Sequence, residues 1–229
     1  MVKRHILRLN APKTWTIQRR GITFITRSNP GGLKKELTMP IASILKYQLA
    51  LVHSIKETKY VIVHEDILVN GVKVTDYRHP VGFTDIVSIP KINAQYRLII
   101  DRDATIKLIP ITKEEAGLKL IKIIGKSMVH GKLQLNLMDG RNIFFEKQHY
   151  KVGDSLLITI PGQLVKEHFS LEKGSLVLLY SGKHTGKIGT LQEIKGNAII
   201  VKSGQEVFET KKDYALVVGK DKPVIKMTK

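Results

Sequence analysis

The 229-residue chain has no cysteine. Disulfides, thiolate zinc sites, iron–sulfur clusters and cysteine nucleophiles are therefore excluded. Aromatic residues are scarce, at 6%, with a single tryptophan. Acidic residues are few: 20 Asp+Glu stand against 38 Lys+Arg, a formal net charge of +18. No apolar run approaches the ~18 residues of a membrane span. The opening Met1–Asn10 has no apolar core of the signal-peptide kind, because charges interrupt each apolar pair. These absences lead to the expectation of a soluble cytoplasmic protein with no membrane partner. What is present in excess is positive charge. Such a surplus repels itself unless a polyanion neutralises it, and nucleic acid is the first such partner to consider.

The charge is uneven. Residues 1–40 carry nine Lys+Arg and one acid, Glu36, whereas residues 41–104 carry eight and seven. The first forty residues show no clean period of 2 or 3.6 and contain Asn29-Pro30-Gly31-Gly32, so they read as an extended basic arm with little core of its own. Trp15, Ile17, Ile22, Phe24 and Ile25 make this arm too apolar for a tail that never docks. Trp15 is either a platform for stacking a base or a plug onto the protein's own barrel, and the plug is the reading we favour.

Residues 41–104 read as a small α+β domain. Ile41, Ile44, Leu45, Leu49 and Val52 follow a helical stripe after Pro40. Ser54-Ile55-Lys56-Glu57 is a capping box that opens a second helix. Tyr60–Val63 is β-branched and aromatic, and local propensity leaves it between strand and helix. Asn70-Gly71 between apolar runs predicts a two-residue hairpin turn, with strands following at 85–89 and 96–100.

Residues 105–170 read as a central β domain: a strand over 105–111, a helical turn at 113–116, alternating Leu133, Leu135 and Leu137, a turn at Asp139-Gly140, and strands at 142–145 and 156–160. Residues 171–220 place five short strands, at 176–180, 187–193, 198–202, 206–210 and 215–218, which suits a small closed barrel. Residues 221–229 read as a basic tail.

Nothing in the sequence argues for catalysis. The eight histidines form no metal-binding spacing, and there is no phosphate-cradling glycine loop of the nucleotide-binding type. No cofactor, metal or small-molecule substrate is expected, and the chain is not expected to be an enzyme.

Two stretches carry recognisable patterns. Gly174–Leu191, with Gly182-Lys183-His184-Thr185-Gly186-Lys187-Ile188-Gly189 at its centre, resembles a KOW motif. In that motif the glycines permit a tight loop, and Lys183, His184 and Lys187 would offer donors to phosphates. Pro40–Ile89 resembles the S-four-type RNA-binding domain, in which helices precede such a hairpin; this resemblance favours helix for Tyr60–Val63. The order of arm, S-four-type domain, central β domain and KOW barrel resembles the archaeal and eukaryotic small-subunit ribosomal protein family called S-four-e. Supporting phrases are Ala11-Pro12-Lys13-Thr14-Trp15, Val81–Ile89, Arg97-Leu98-Ile99, Thr112–Ala116 and Lys151–Ser155.

The resemblance implies a multi-domain, predominantly β protein with an SH3-like C-terminal barrel. It also implies a structural role in translation, small-subunit ribosomal RNA and neighbouring ribosomal proteins as partners, and no enzymatic activity. The residues expected at RNA are Lys3, Arg4, Arg8, Lys13, Arg19, Arg20, Arg27, Lys34 and Lys35 in the arm. Lys46, Lys56, Lys59 and Lys73 are expected in the α+β domain, and Lys183, His184 and Lys187 in the glycine-rich loop. Two other readings remain: a KOW-bearing RNA-binding or transcription factor, which the S-four-type half argues against, and an RNA-modifying enzyme with an S-four-type accessory domain. The latter needs a nucleophilic aspartate in an Arg-Leu-Asp-type loop, which residues 105–229 do not offer.

Overall fold

The computed structural model describes residues 4–145, 149–204, 206–220 and 222–227. Lys3 and part of the expected basic tail lie outside the described residues. The chain divides into two compact units, Met1–Ile100 with Thr105–Ala116, and Asp101–Ala104 with Gly117–Lys229.

In the first unit the basic arm is folded, contrary to the expectation of an extended arm with little core. His5–Leu7 pairs antiparallel with Phe24–Thr26. Ala11, Trp15, Ile25, Leu37 and Met39 are buried. The lack of periodicity has a physical explanation: the segment between the two strands is irregular, and its carbonyls are satisfied by arginine side chains rather than by a ladder. Arg8 donates from Nε to the Ile22 carbonyl (2.7 Å) and from Nη1 to that of Gln18 (2.8 Å). Arg19 donates to the carbonyls of Ala11 (3.0 Å) and Pro12 (3.1 Å). Trp15 is the plug, not the exposed platform. Its indole donates to the Thr38 carbonyl at 2.7 Å, and its neighbour Thr14 accepts from the Ile106 amide at 2.7 Å. It therefore packs inside the first unit rather than onto the C-terminal strands.

Thr38–Pro40 pairs with Pro80–Gly82. Pro40 then caps a helix that is α over Ile41–Ser43 and widens to a π-helix over Ile44–Gln48, so the predicted stripe is helical but shorter than expected. Ile41, Ile44 and Leu45 are its buried face. The second helix, Ile55–His64, includes Tyr60–Val63. Ser54 caps it by accepting from the Glu57 amide at 3.2 Å. Glu57 reaches back one residue further than a standard box and accepts from the His53 amide at 2.7 Å. That bond and the Ser54 hydroxyl hold the Glu57 carboxyl below its ordinary pKa.

The unit's main sheet runs Val72–Lys73, Leu68–Val69, Ile86–Ile89, Ala94–Ile100, Ile106–Pro110. Asn70 (φ 52°) and Gly71 (φ 77°) both occupy the left-handed region, which makes the predicted two-residue hairpin turn one of type I′. Asn70 is buried; its Nδ2 donates to Asp85 at 2.9 Å, and its Oδ1 accepts from the Ile86 amide at 3.1 Å. The turn is thus tied to the sheet it serves. The strand expected to begin the central β domain instead completes this sheet, because Ile106–Pro110 forms a hairpin with Ala94–Ile100.

The second unit holds two five-stranded antiparallel sheets. The first runs Asn142–Phe145, Lys132–Leu137, Leu118–Val129, Ser155–Thr159, Val165–Phe169. Its twelve-residue central strand Leu118–Val129 was not expected from the sequence. It pairs with Ser155–Thr159 through residue 122 and with Lys132–Leu137 from residue 123, with a register shift between Ile123 and Gly125. A bulge there lets one bent strand serve two partners. Lysines broke its apolar pattern, yet Lys119 and Lys122 are buried. Lys119 pairs with Asp139 at 2.8 Å.

The second sheet runs Glu206–Lys211, Ala198–Ser203, Ile188–Lys195, Leu176–Leu179, Ala215–Gly219. These are the five expected strands, displaced by at most two residues. Val177, Leu179, Leu191, Ile199, Val201, Ala215 and Val217 form its core. The Val217 amide donates to Ser155 Oγ at 3.0 Å, and Lys122 Nζ donates to the carbonyls of Lys212 and Asp213, each at 2.9 Å. The two sheets are thereby linked.

Candidate nucleic-acid interface

A cation binds phosphate only if it is not already engaged, so each expected residue is sorted by what it touches. In the arm, Arg4, Lys13, Arg20, Arg27, Lys34 and Lys35 are exposed. Arg8 is buried; besides its two carbonyls it donates to the Tyr47 hydroxyl at 3.2 Å. Arg19 is half-buried on the arm's own carbonyls. Both arginines hold the shape that presents the other six.

In the rest of the first unit, Lys56 and Lys59 are exposed on the helix Ile55–His64. Lys59 stands 4.9 Å from the centre of the Tyr77 ring. Lys46 is half-buried and lies 5.5 Å from the Tyr47 ring. Lys73 is exposed and paired with Asp66 at 2.6 Å, a solvated pair that contributes little.

The sequence reading missed Arg78. It forms a fork on Asp76, with Nη2 at 3.0 Å, and the Asn29 amide donates to the same carboxylate at 2.8 Å. Burial of Asp76 opposes its ionisation, but the bonds from Arg78 and Asn29 outweigh it and hold the carboxyl at about 2. The Asn29–Asp76 bond pins the arm's Asn29–Gly32 segment beside a cavity of about 270 Å³ that Arg27, Lys35 and Arg78 line. The only sequence signal for this was an Asp-x-Arg spacing, which is too common to single out.

The glycine-rich loop is arranged differently. Lys183 is exposed. His184 is stacked on Phe208 (4.3 Å between ring centres, 14° between planes), and Lys187 pairs with Glu206 at 2.5 Å. Gly182 (φ 92°) and Gly186 (φ 78°) have the left-handed backbone that the motif requires. Gly189 acts by close approach instead: a Cβ there would sit 2.5 Å from the Lys202 carbonyl oxygen across the strand pair.

Among the described residues four cations are buried. Arg8 is one. Arg97 donates to the Glu115 carboxylate (3.2 Å) and carbonyl (3.0 Å); burial pushes its pKa down while Glu115 pulls it up. Lys119 and Lys122 are the others. Among the described residues no group of three or more His, Asp or Glu side chains could hold a metal ion. No helix of the described residues is long and apolar enough to cross a membrane.

Several small antiparallel sheets, a folded basic extension and cations left at the surface are the build of a ribosomal protein. Comparison with known proteins specifies which. Residues 92–165 match the model for the ribosomal family S4e, and residues 2–35 match that of the RS4NT (NUC023) domain. Small ribosomal subunit protein eS4 of Methanosphaera stadtmanae is 36% identical, over 98% of this chain and 96% of the relative. That of Archaeoglobus fulgidus is 39% identical over 98% of each. The chain belongs to the S4e family of ribosomal proteins. The crystal structure of the 30S ribosomal protein S4e from Thermoplasma acidophilum superposes with a TM-score of 0.70 at 28% identity, covering 81% of this chain and 96% of that one.

Proposed function

We propose that this protein is a structural constituent of the small ribosomal subunit, held there by small-subunit ribosomal RNA and by neighbouring ribosomal proteins, in the cytoplasm, and that it catalyses no reaction. The observation that carries this is the end-to-end match to relatives named small ribosomal subunit protein eS4. The surface charge supports it, since phosphate neutralisation with release of counterions is the general source of RNA affinity.

In this reading residues 1–40 are the basic arm, 41–116 the S-four-type domain with its added strand Ile106–Pro110, 117–170 the central β domain, 171–220 the KOW barrel of SH3-like form and 221–229 a basic tail. The primary RNA contacts are Arg4, Lys13, Arg20, Arg27, Lys34 and Lys35, with Lys56, Lys59 and Lys183 beside them. Lys46, half-buried beside the Tyr47 ring, can reach RNA at a single place, and Lys73 contributes less, since it is paired with Asp66. Arg8, Arg19, His184 and Lys187 act as positioning residues. The test is sedimentation of a high-magnesium lysate of cells expressing the tagged chain. The protein should travel quantitatively with small subunits; recovery at the top of the gradient would refute the proposal.

A further inference from the structure

The expected RNA contacts are lysines and arginines assigned to phosphate, and phosphate contacts position an RNA without reading its bases. One place in the first unit offers more. The arm hairpin, the helix Ile41–Gln48 and the region of Tyr77 enclose a cavity of about 280 Å³. Its lining includes Phe24, Tyr47 and Tyr77, the cations Arg4 and Lys46, and no carboxylate. The chain's aromatics total only 6%, so three around one cavity is a concentration that packing does not require. Phe24 in particular is half exposed, at 50%. Its contact with His5, at 4.6 Å and 64° between planes, does not stack the two rings.

A second observation points the same way. Ser43 is among the residues around the cavity, and its buried hydroxyl has no hydrogen-bond partner among the described residues. A buried polar group without a partner is uncommon and calls for one. Aromatic rings, cations and a nearby unpartnered hydroxyl match what an unstacked nucleotide needs: a π-face for the base, positive charge for the phosphate and a polar group close to the base edge.

We propose that this cavity seats a single unstacked nucleotide of the bound RNA, its base against Phe24 and Tyr47 and its phosphate on Arg4 and Lys46. The inference rests on the RNA-binding reading above and adds a preference for single-stranded RNA. An apolar, acidic segment of a neighbouring protein is the competing occupant. The three flat ring faces favour a base, which stacks on them, over such a segment.

The test uses the full-length chain with two fluorescent probes, a ten-residue oligouridylate and a blunt ten-base-pair RNA duplex, titrated at two salt concentrations beside thermal melts. Phe24→Ala should weaken the single strand at least about fivefold, the lower end of what one stacked base supplies, and leave the duplex unchanged. Phe24→Tyr should restore the affinity, because it restores the ring. Lys46→Gln should lower the salt slope on the single strand by about 0.7. An unchanged single-strand affinity for Phe24→Ala, or equal weakening on both probes, would overturn the nucleotide seat while leaving the RNA reading intact. If the parent chain binds neither probe, the RNA reading itself fails and the seat falls with it.

Discussion

The arm and the glycine-rich loop were both expected to carry phosphate contacts, and they manage their cations in opposite ways. In the arm, two arginines are turned inward to tie irregular backbone, and six further cations are left exposed. In the loop, one lysine is exposed, while the histidine and the second lysine are held on Phe208 and Glu206. The loop's shape is set by glycine; the arm's shape is set by guanidinium groups. Charge counted along a sequence is therefore not charge available at a surface. An arginine with five fixed donors can substitute for a missing ladder, which a lysine does less well.

The largest effect should come from neutralising the exposed arm. Changing Arg4, Lys13, Arg20, Arg27, Lys34 and Lys35 to glutamine should lower the log–log salt slope of RNA binding by about 4, at ~0.7 per lost contact. Lys183→Ala with Lys187→Ala should lower it by about 0.7–0.9, because only one of the pair is free to touch phosphate. Filter binding across a salt series reads both. Equal slopes for the two variants would erase the distinction between the regions. Deleting residues 2–36 would not be a clean test, since it also removes Trp15 from the core.

The next effect concerns folding. Trp15→Ala should lower stability by about 3–5 kcal/mol, the usual result of deleting a buried tryptophan. In the loop the corresponding loss comes from glycine. Gly189→Val brings a branched side chain against the Lys202 carbonyl and should cost about 1–3 kcal/mol by overpacking. Urea unfolding would rank them, and a Trp15→Ala protein as stable as the parent would show that the arm is decoration rather than core.

Gly71→Val is smaller again. A β-branched residue at φ 77° costs about 1–2 kcal/mol. The melt of the first unit should shift down, and an unshifted melt would mean that the turn tolerates any residue.

The smallest effect is a pH dependence. Lys122 is pushed down to about 8, first by burial, against a weaker upward pull from Asp213. Below pH 8 both folded and unfolded states carry the proton. Between about 8 and 10.5 the unfolded chain holds it and the folded one does not, so the unfolded state binds more protons and stability rises with pH. The difference in melting temperature between the parent and Lys122→Met should therefore move in the parent's favour from pH 8 upward. A flat difference would show that Lys122 stays charged in the fold.

Much of the strand pattern was legible. Leu133, Leu135 and Leu137 alternate with polar residues because one face of their strand meets the core. Asn70-Gly71 announced its turn because few residues accept positive φ twice in succession. The strand Leu118–Val129 was not legible, because Lys119 and Lys122 look like surface residues until Asp139 and two carbonyls are brought to them from elsewhere in the chain. The edge strand Val165–Phe169 escaped for a related reason: a mostly exposed strand has no apolar alternation to read. The assignment of Ile106–Pro110 failed because a strand's pattern reports that it pairs, not with which sheet.

For the candidate interface, the sequence alone determined the excess of cations, their concentration in the first forty residues, the absence of thiol chemistry and the positions of the turns. These follow from composition and from backbone rules that act over a few residues. Only the tertiary structure decided that Arg8 and Arg19 face inward, that Trp15 is core, that Lys187 is paired, and that Phe24, Tyr47 and Tyr77 meet around one cavity. Each of those depends on a partner many positions away, and no local propensity encodes which distant carbonyl, carboxylate or ring will arrive.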